Sequence, residues 1–377
     1  MLDSALNTIK RHVKNIPGWR TKRKIIVIES DDWGSIRMPS KEVYEKCLKA
    51  GYRVDQIAYE RFDSLASEKD LELLFEVLKR YKDSNGNPAV ITANVLTANP
   101  DFEKIKASGY ENYFFELITE TFKKYPKHSG CFNLWKEGME NKIFFPQSHG
   151  REHLNVSMFM KALQDGNEDV HFGFKHRMPG CIPKRNPEEG NKYVETLRYI
   201  NKQDKQEKLS IIVEGLELFK KMFGFESESL TPPNYIWSPD YNKLISTKGV
   251  KYYQGQRKMK KPLLDGTVQL NSHKLGEENK FGQKYLIRNA TFEPSMFNAA
   301  DDTVERCLED ISIAFRMNKP AIICSHRLNY VGFIDEQNRD KNLKLLDNLL
   351  NNIVRKWPEV EFMNSVQLGT LINKTTI

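Results

Sequence analysis

The sequence lacks several features that would assign it to other classes of protein. No uncharged stretch reaches the roughly eighteen apolar residues that a membrane-spanning helix needs. Residues 1–24 lack the apolar core of a secretory signal peptide. The five cysteines are odd in number, far apart and never paired as CxxC, which argues against a disulfide framework and a cysteine-ligated zinc site. We therefore expect a soluble, cytoplasmic protein.

Internal repeats, low-complexity segments and linkers rich in Gly, Pro and Ser are also missing. The 377 residues could form two average domains or one large α/β barrel. Hydrophobic residues make up 39% of the chain and aromatic residues 11%, which is enough for a sizeable core and excludes wholesale disorder.

Charge of one sign is only mildly in excess. Lys and Arg number 58 and Asp and Glu 50, so the formal net charge is +8. The densest basic run, "QRKMKK" at residues 256–261, contains no aromatic residue to stack on bases. We interpret this run as a solvated loop, and we expect no nucleic-acid partner.

Strand and helix patterns alternate along the chain. Continuous apolar runs predict buried parallel strands at "KIIVIESDD", "AVITANV" and "PAIICSH", and "NYIWSP", "VKYYQG" and "YLIRNATF" are also strand-like. Ser67 and Asp70 resemble a capping box that opens a helix, and "EHLNVSMFMKAL" also has a helical pattern. This alternation favours a largely parallel sheet, in which functional residues gather where strands end.

Three groups of chemically active residues fall at the predicted strand ends. Asp31 and Asp32 follow the first strand, although Asp-Asp-x-Gly is also ordinary turn chemistry. His149 and His153 are four residues apart, a spacing that puts both on one helix face, where they could bind one metal ion or simply be neighbours. His326 ends the buried run "AIICSH", where a lone histidine is more often structural.

Together, these three groups could supply both a metal site and the acid and base of a hydrolase. One carboxylate and two imidazoles form a three-ligand set with an open position for water, which is typical of a catalytic zinc site. A second carboxylate and a further histidine remain as general base and general acid.

In their order along the chain, these motifs resemble those of the polysaccharide deacetylase family, the NodB-homology carbohydrate esterases, across residues 24–365. The resemblance implies an irregular (β/α) barrel with helical insertions around residues 40–90, 100–140 and 175–230. It implies a single domain at 24–377, preceded by an N-terminal helical extension at 1–23.

The resemblance also implies roles for the residues. Asp32, His149 and His153 would bind one divalent metal ion, most simply Zn²⁺. Asp31 would be the base that deprotonates a metal-bound water, and His326 the acid that protonates the leaving amine. The substrate would be an N-acetylated or O-acetylated carbohydrate.

The chain departs from the family pattern at two motifs. Glu29-Ser30 stands where the first motif usually has Thr-Phe, and Trp237 in "WSPDY" stands where the third motif has the arginine that steadies the base. Arg288 is our first choice as the substitute arginine, with Arg151 and Arg327 as rivals.

Aromatic and amide side chains near the predicted site could contact a sugar. These candidates for substrate binding, each with core packing or a simple turn as its alternative, are Trp33, Asn94, Tyr235, Trp237 and Tyr330. Two other functions stay open: hydrolysis of another amide, such as a cyclic imide or ureide, and non-catalytic carbohydrate binding on the same scaffold.

Overall fold

A computed structural model describes residues 11–180, 183–185, 187, 190–296 and 302–375. The strands are β1 Ile25–Trp33, β2 Ile91–Leu96, β3 Ala98–Pro100, β4 Phe115–Leu117, β5 Phe144–Gly150, β6 Ser229–Leu230, β7 Tyr252–Gly255, β8 Lys258–Pro262, β9 Val268–Ser272, β10 Lys284–Ile287, β11 Ala290–Thr291, β12 Ala321–His326 and β13 Glu361–Phe362. The α-helices are α1 Lys41–Lys49, α2 Ala58–Phe62, α3 Glu68–Arg80, α4 Phe102–Ala107, α5 Ile118–Lys124, α6 Cys131–Glu140, α7 Val156–Gln164, α8 Glu168–Lys175, α9 Lys202–Phe223, α10 Asn242–Ser246, α11 Thr303–Arg316, α12 Glu336–Lys356 and α13 Ser365–Thr375.

Nine of these strands form one sheet in the order β10-β7-β6-β5-β2-β1-β12-β11, with β13 also paired to β1. Every pairing within this sheet is parallel. The sheet curls into a half-barrel flanked by helices, so the predicted fold class, an irregular (β/α) barrel, is confirmed.

The central strand β1 is buried along its whole length because both of its faces are covered. Ile26 and Ile28 belong to one apolar cluster, whereas Ile25 and Val27 belong to another. Successive side chains of a strand point to opposite faces, so a continuous apolar run suits a strand packed on both sides. Each such side chain contributes about 1.5–3 kcal/mol by its burial.

The register brings the polar strand ends together. β1 and β12 pair so that Asp31 lies beside His326, and β2 and β5 pair so that Asn94 lies beside Gln147. The carboxyl ends of four neighbouring strands, β5, β2, β1 and β12, therefore meet at one edge of the sheet.

Helix α3 begins as the sequence predicts. Ser67 accepts a hydrogen bond from the Asp70 backbone N–H, and the Asp70 side chain accepts one from the Ser67 backbone N–H. This capping box is confirmed, with Asp in place of the usual Glu.

Two segments fold differently from their predictions. The expected strand "NYIWSP" instead begins with a 3₁₀ turn, Pro233–Tyr235, in which Asn234 and Tyr235 have φ of 54° and 56°. Two successive prolines and two left-handed residues prevent a regular strand here. The basic run expected as a loop instead contributes to β8, which pairs antiparallel with β9.

The N-terminal extension expected at residues 1–23 lies partly outside the described residues, and residues 11–13 are helical. The insertions expected around 40–90 and 100–140 contain helices α1–α3 and α4–α6. The division of the chain into domains stays a prediction. In the part of the chain that the structure describes, no helix combines the length and apolar character required to cross a bilayer.

Candidate active site

The two adjacent aspartates at the end of β1 both line one cavity. Regular strand alternation would direct their side chains to opposite faces. Asp32 has a φ of 74°, and the β1–β2 register shifts between Ser30 and Trp33. The left-handed residue breaks the alternation, so both carboxylates face the same cavity.

The two histidines of the second motif do not share a helix. His149 belongs to β5, whereas His153 lies in the loop before α7, whose N-cap is Asn155. The prediction that both histidines lie on one helix face is therefore wrong. A turn at Gly150, with φ of 116°, still brings the two imidazoles together, with ring centroids 5.3 Å apart.

Both imidazoles face the carboxylate of Asp32. The Nε2 atom of His149 lies 3.3 Å from Asp32 Oδ1, and that of His153 lies 3.5 Å from the same oxygen. One potential ligand atom from each residue lies within 4.8 Å of those of the other two. All three side chains are buried.

The surroundings of these histidines suit metal binding. His149 Nδ1 lies 2.7 Å from the carbonyl oxygen of Thr231. Because a carbonyl only accepts, Nδ1 donates this hydrogen bond, and Nε2 is the nitrogen directed towards Asp32. Burial, assisted by the charge of Arg37, lowers the pKa of His153 to about 3, which keeps this imidazole neutral. A carboxylate and two imidazoles fit a divalent metal ion such as zinc.

Asp31 has a different environment. Arg288 donates one hydrogen bond of 2.7 Å to each of its carboxylate oxygens, and Asn94 donates a third of 2.7 Å. Although burial alone would raise the pKa of Asp31, the Arg288 guanidinium lowers it well below the ordinary value. Asp31 is therefore ionised and fixed in orientation.

Arg288 lies between β10 and β11, and it also donates to Glu29 at 2.6 Å and to the Tyr235 hydroxyl at 2.9 Å. Glu29 stands where the family has threonine, and its carboxylate balances the buried guanidinium. Of the rival arginines, Arg151 binds Glu152 and Glu214, and Arg327 binds Asp63. The rivals are thus engaged elsewhere, and Arg288 is the arginine that contacts Asp31.

His326 lies on the other side of Asp31, with its Nε2 3.7 Å from Asp31 Oδ2. Its Nδ1 is 2.6 Å from Glu293 Oε1. Burial opposes its charging, but the Glu293 carboxylate raises the pKa of His326 well above the ordinary value. The imidazolium form is therefore favoured.

Glu293 was missed at the level of sequence. It lies just after β11, and its position after the strand-like segment "YLIRNATF" was the one available signal. Glu293, His326 and Cys324 form a second cluster of potential ligands. Burial raises the pKa of Cys324, so its thiol stays protonated, and Glu293 already binds the histidine. This cluster is a weaker metal site than the first.

Asp31, Asp32, His149, His153 and His326 line a cavity of about 410 Å³. Tyr235, one of the predicted substrate contacts, belongs to its wall. The charged or aromatic wall residues that were not predicted from the sequence are Arg37, Tyr59, Glu60 and Lys260. Most of them come from the loop after β1 and from α2, where no strand pattern marks them.

The other predicted substrate contacts do not reach the cavity. Trp33, Trp237 and Tyr330 are each at most 3% exposed. Their polar atoms are satisfied within the core, by Ser30, Asn242 and Ser325 respectively. Asn94 is also fully buried and donates to Asp31 and Gln254. These four predictions are wrong, because the side chains pack beneath the site and support it.

Neither a protein-family model nor a curated protein matches this sequence. Solved structures do match. A candidate glycoside hydrolase/deacetylase from Parabacteroides distasonis aligns over 94% of this chain and 72% of its own, with a TM-score of 0.50 and 8% identity. The chain has the polysaccharide deacetylase fold.

Two other solved structures cover this scaffold. A candidate polysaccharide deacetylase from Mycobacterium smegmatis aligns over 96% of this chain and 94% of its own, with a TM-score of 0.42 and 9% identity. The 4-alpha-glucanotransferase from Thermococcus litoralis aligns over 94% of this chain, which spans only 41% of that enzyme, with a TM-score of 0.45 and 10% identity. A fold does not by itself define a function, so the chemistry of this site rests on its own residues.

Proposed function

We propose that this chain is a metal-dependent hydrolase that removes N-acetyl or O-acetyl groups from a carbohydrate. One observation carries the proposal. The cavity combines a carboxylate and two imidazoles with a second, separately held carboxylate and a histidine favoured in its charged form. This is the set of groups that metal-assisted hydrolysis needs.

Asp32, His149 and His153 would hold the metal ion. When bound, a divalent metal supplies Lewis acidity, which lowers the pKa of a coordinated water and polarises a carbonyl. Three protein donors are the number that catalytic zinc sites use, and a metal held by them would have a position open to water or substrate. Thr231 holds the ring of His149 in the orientation that frees its Nε2.

Asp31 would accept the proton of the attacking water. Two hydrogen bonds from Arg288 and one from Asn94 fix its carboxylate, so its position relative to Asp32 is set before substrate binds. A base acts well only when it is within hydrogen-bond reach of the proton, and this arrangement restricts its freedom to move away.

His326 would donate a proton to the leaving amine or alcohol. An unprotonated amine is a very poor leaving group, so the acid contributes about 10²–10⁴-fold in rate. Glu293 keeps the imidazole charged and oriented through Nδ1, which leaves Nε2 directed to the side of Asp31.

The cavity supports a sugar-sized substrate. Its volume of about 410 Å³ falls within the usual range of small-molecule sites, roughly 300–1,000 Å³. Tyr59 and Tyr235 offer aromatic surface on its wall. The Parabacteroides distasonis protein is described as a candidate glycoside hydrolase/deacetylase, which supports an acetylated carbohydrate as the substrate class.

The test is a metal analysis of the purified protein, followed by an acetate-release screen across N-acetylated and O-acetylated glycans. We expect about one divalent ion per chain and loss of acetate release after chelation, restored by Zn²⁺. A protein that retains no metal and releases no acetate from any glycan would contradict the proposal. A protein that retains metal and opens cyclic imides, but releases no acetate, would be a hydrolase of cyclic imides and not of acetylated carbohydrates.

A further inference from the structure

The cavity wall contains two cations that no predicted catalytic step uses, Arg37 and Lys260. Arg37 follows β1 in the loop before α1, whereas Lys260 belongs to β8 and comes from the basic run expected as a solvated loop. They lie in different parts of the sequence, and both line the same space as Asp32 and His149.

Arg37 is nearly buried and poorly satisfied. Its side chain is 10% exposed, and its Nε atom has no hydrogen-bond partner among the described residues. Its closest carboxylate oxygens, on Asp32 and Asp63, are both 3.8 Å away, beyond hydrogen-bond distance. A guanidinium has five N–H donors in a planar fork, and leaving them unpaired in a buried position is costly.

The carboxylates around Arg37 have stronger partners. Asp63 accepts two hydrogen bonds from Arg327, of 2.9 and 3.0 Å. Asp32 faces the two imidazoles of the candidate metal site. Burial raises the pKa of Glu60. The guanidinium of Arg37 therefore lines the cavity near carboxylates that are hydrogen-bonded or directed elsewhere, and neither Asp32 nor Asp63 lies within hydrogen-bond distance of it.

Lys260 is the more accessible cation. Its side chain is 41% exposed, and the carboxylate of Glu195 is 3.9 Å away. The backbone of β8 is anchored beside the cavity, because the Trp237 N–H donates to the Lys260 carbonyl at 2.8 Å. The hairpin thus carries this ammonium group to the cavity wall, while Lys258, two residues earlier on the same strand, is exposed and lies outside the wall.

We propose that Arg37 and Lys260 select a carbohydrate that carries an anionic group, carboxylate or sulfate, on or next to the acetylated sugar. The guanidinium fork matches the paired oxygens of such a group, and the ammonium attracts it from the solvent side. The inference rests on the proposed function, which supplies the acetylated sugar. It specifies in addition that the substrate carries a negative charge.

The experiment compares three oligosaccharides of equal length by calorimetric titration of the purified full chain. They are neutral tetra-N-acetylchitotetraose, a hyaluronan tetrasaccharide with carboxylates, and 6-O-sulfated tetra-N-acetylchitotetraose. We expect an acidic ligand to bind about 10- to 100-fold more tightly than the neutral one. The neutral ligand has no anionic group to accept charge-assisted hydrogen bonds from Arg37 and Lys260. Which acidic ligand binds more tightly identifies the group.

Variants assign the preference to residues. Arg37→Gln should remove most of the preference, Arg37→Lys should restore part of it, and Lys260→Gln should weaken acidic binding by about 2- to 10-fold. Lys258→Gln is the matched control and should change nothing. Metal content is measured in each Arg37 variant, because this residue neighbours Asp32. Equal binding of acidic and neutral ligands, no binding of either, or a preference unchanged in Arg37→Gln and Lys260→Gln overturns the inference.

Turnover separates this inference from the proposed function. Deacetylation of the neutral ligand as fast as the acidic ones, with no difference in affinity, leaves the function and removes the anion preference. Arginine-dependent binding of an acidic ligand by a protein that retains no metal and releases no acetate from any glycan leaves the preference and removes the function.

Discussion

The neighbouring carboxylates of Asp31 and Asp32 line one cavity but have different surroundings. On the closed side, comprising Glu29, Asp31 and Arg288, the carboxylate of Asp31 receives hydrogen bonds from a guanidinium and an amide. On the open side, comprising Asp32, His149 and His153, the carboxylate of Asp32 faces the Nε2 atoms of two imidazoles. The first set is held by protein donors, whereas we propose that a metal ion joins the second set.

This difference assigns separate tasks to adjacent residues. A carboxylate whose two oxygens are both held by fixed donors is preorganised to act as a base. A carboxylate surrounded by neutral nitrogen donors attracts a divalent ion. Changes on the open side should therefore remove metal, and changes on the closed side should remove turnover or stability while metal stays bound.

The largest effect is expected from Asp32→Asn. An amide is a much weaker zinc ligand than a carboxylate, so this variant should lose its bound metal and its acetate release together. Metal content by elemental analysis and acetate release on the best glycan check the outcome. An Asp32→Asn protein that retains a full equivalent of metal would remove the distinction between the two sides.

The next largest effect is expected from Asp31→Asn. The metal stays bound, and the rate falls by about 10²–10⁴-fold because the general base is lost. Metal content and the rate constant at saturating substrate are measured on the same sample. Loss of metal from this variant would show that Asp31 belongs to the open side.

Arg288→Met should act mainly on stability. It leaves Glu29 and Asp31 buried without their cation, and breaking a buried ion pair in this way costs about 3–5 kcal/mol. Urea unfolding gives the change. Arg37→Gln is the matched control, because this arginine makes no close ion pair, and it should cost clearly less. Equal losses in the two variants would contradict the view that only the closed side is complete.

The smallest effect is expected from Tyr330→Phe. It removes the hydrogen bond of 2.7 Å to Ser325 beneath the site, which should lower stability by about 1 kcal/mol. Affinity for the glycan should not change, because the ring lies outside the cavity. A tenfold loss of glycan affinity would return Tyr330 to the substrate contacts.

Much of the fold follows from local patterns. Strands β1, β2 and β12 were predicted from continuous apolar runs, and the start of α3 from its capping box, because burial on both faces and helix capping depend on residues close in sequence. Arg288 was preferred over Arg151 and Arg327 as the arginine near Asp31, and the structure brings it there.

The failures have long-range causes. Trp33, Trp237 and Tyr330 follow or neighbour strand ends as expected, but whether a ring faces a cavity or the core depends on the strands and helices packed around it. The pairing of Glu293 with His326 joins residues 33 positions apart. The wall positions of Arg37 and Lys260 likewise depend on contacts that no local pattern encodes.

The sequence by itself determined which chemical groups end the strands: adjacent carboxylates after β1, a histidine pair around the end of β5, and a histidine at the end of β12. Hydrophobic burial defines a strand locally, so the residues that follow it can be identified without coordinates. Only the tertiary structure decided that these ends meet around one cavity, through parallel register and a left-handed Asp32. Convergence of distant segments is a property of the packed sheet, because each segment's position depends on its neighbours.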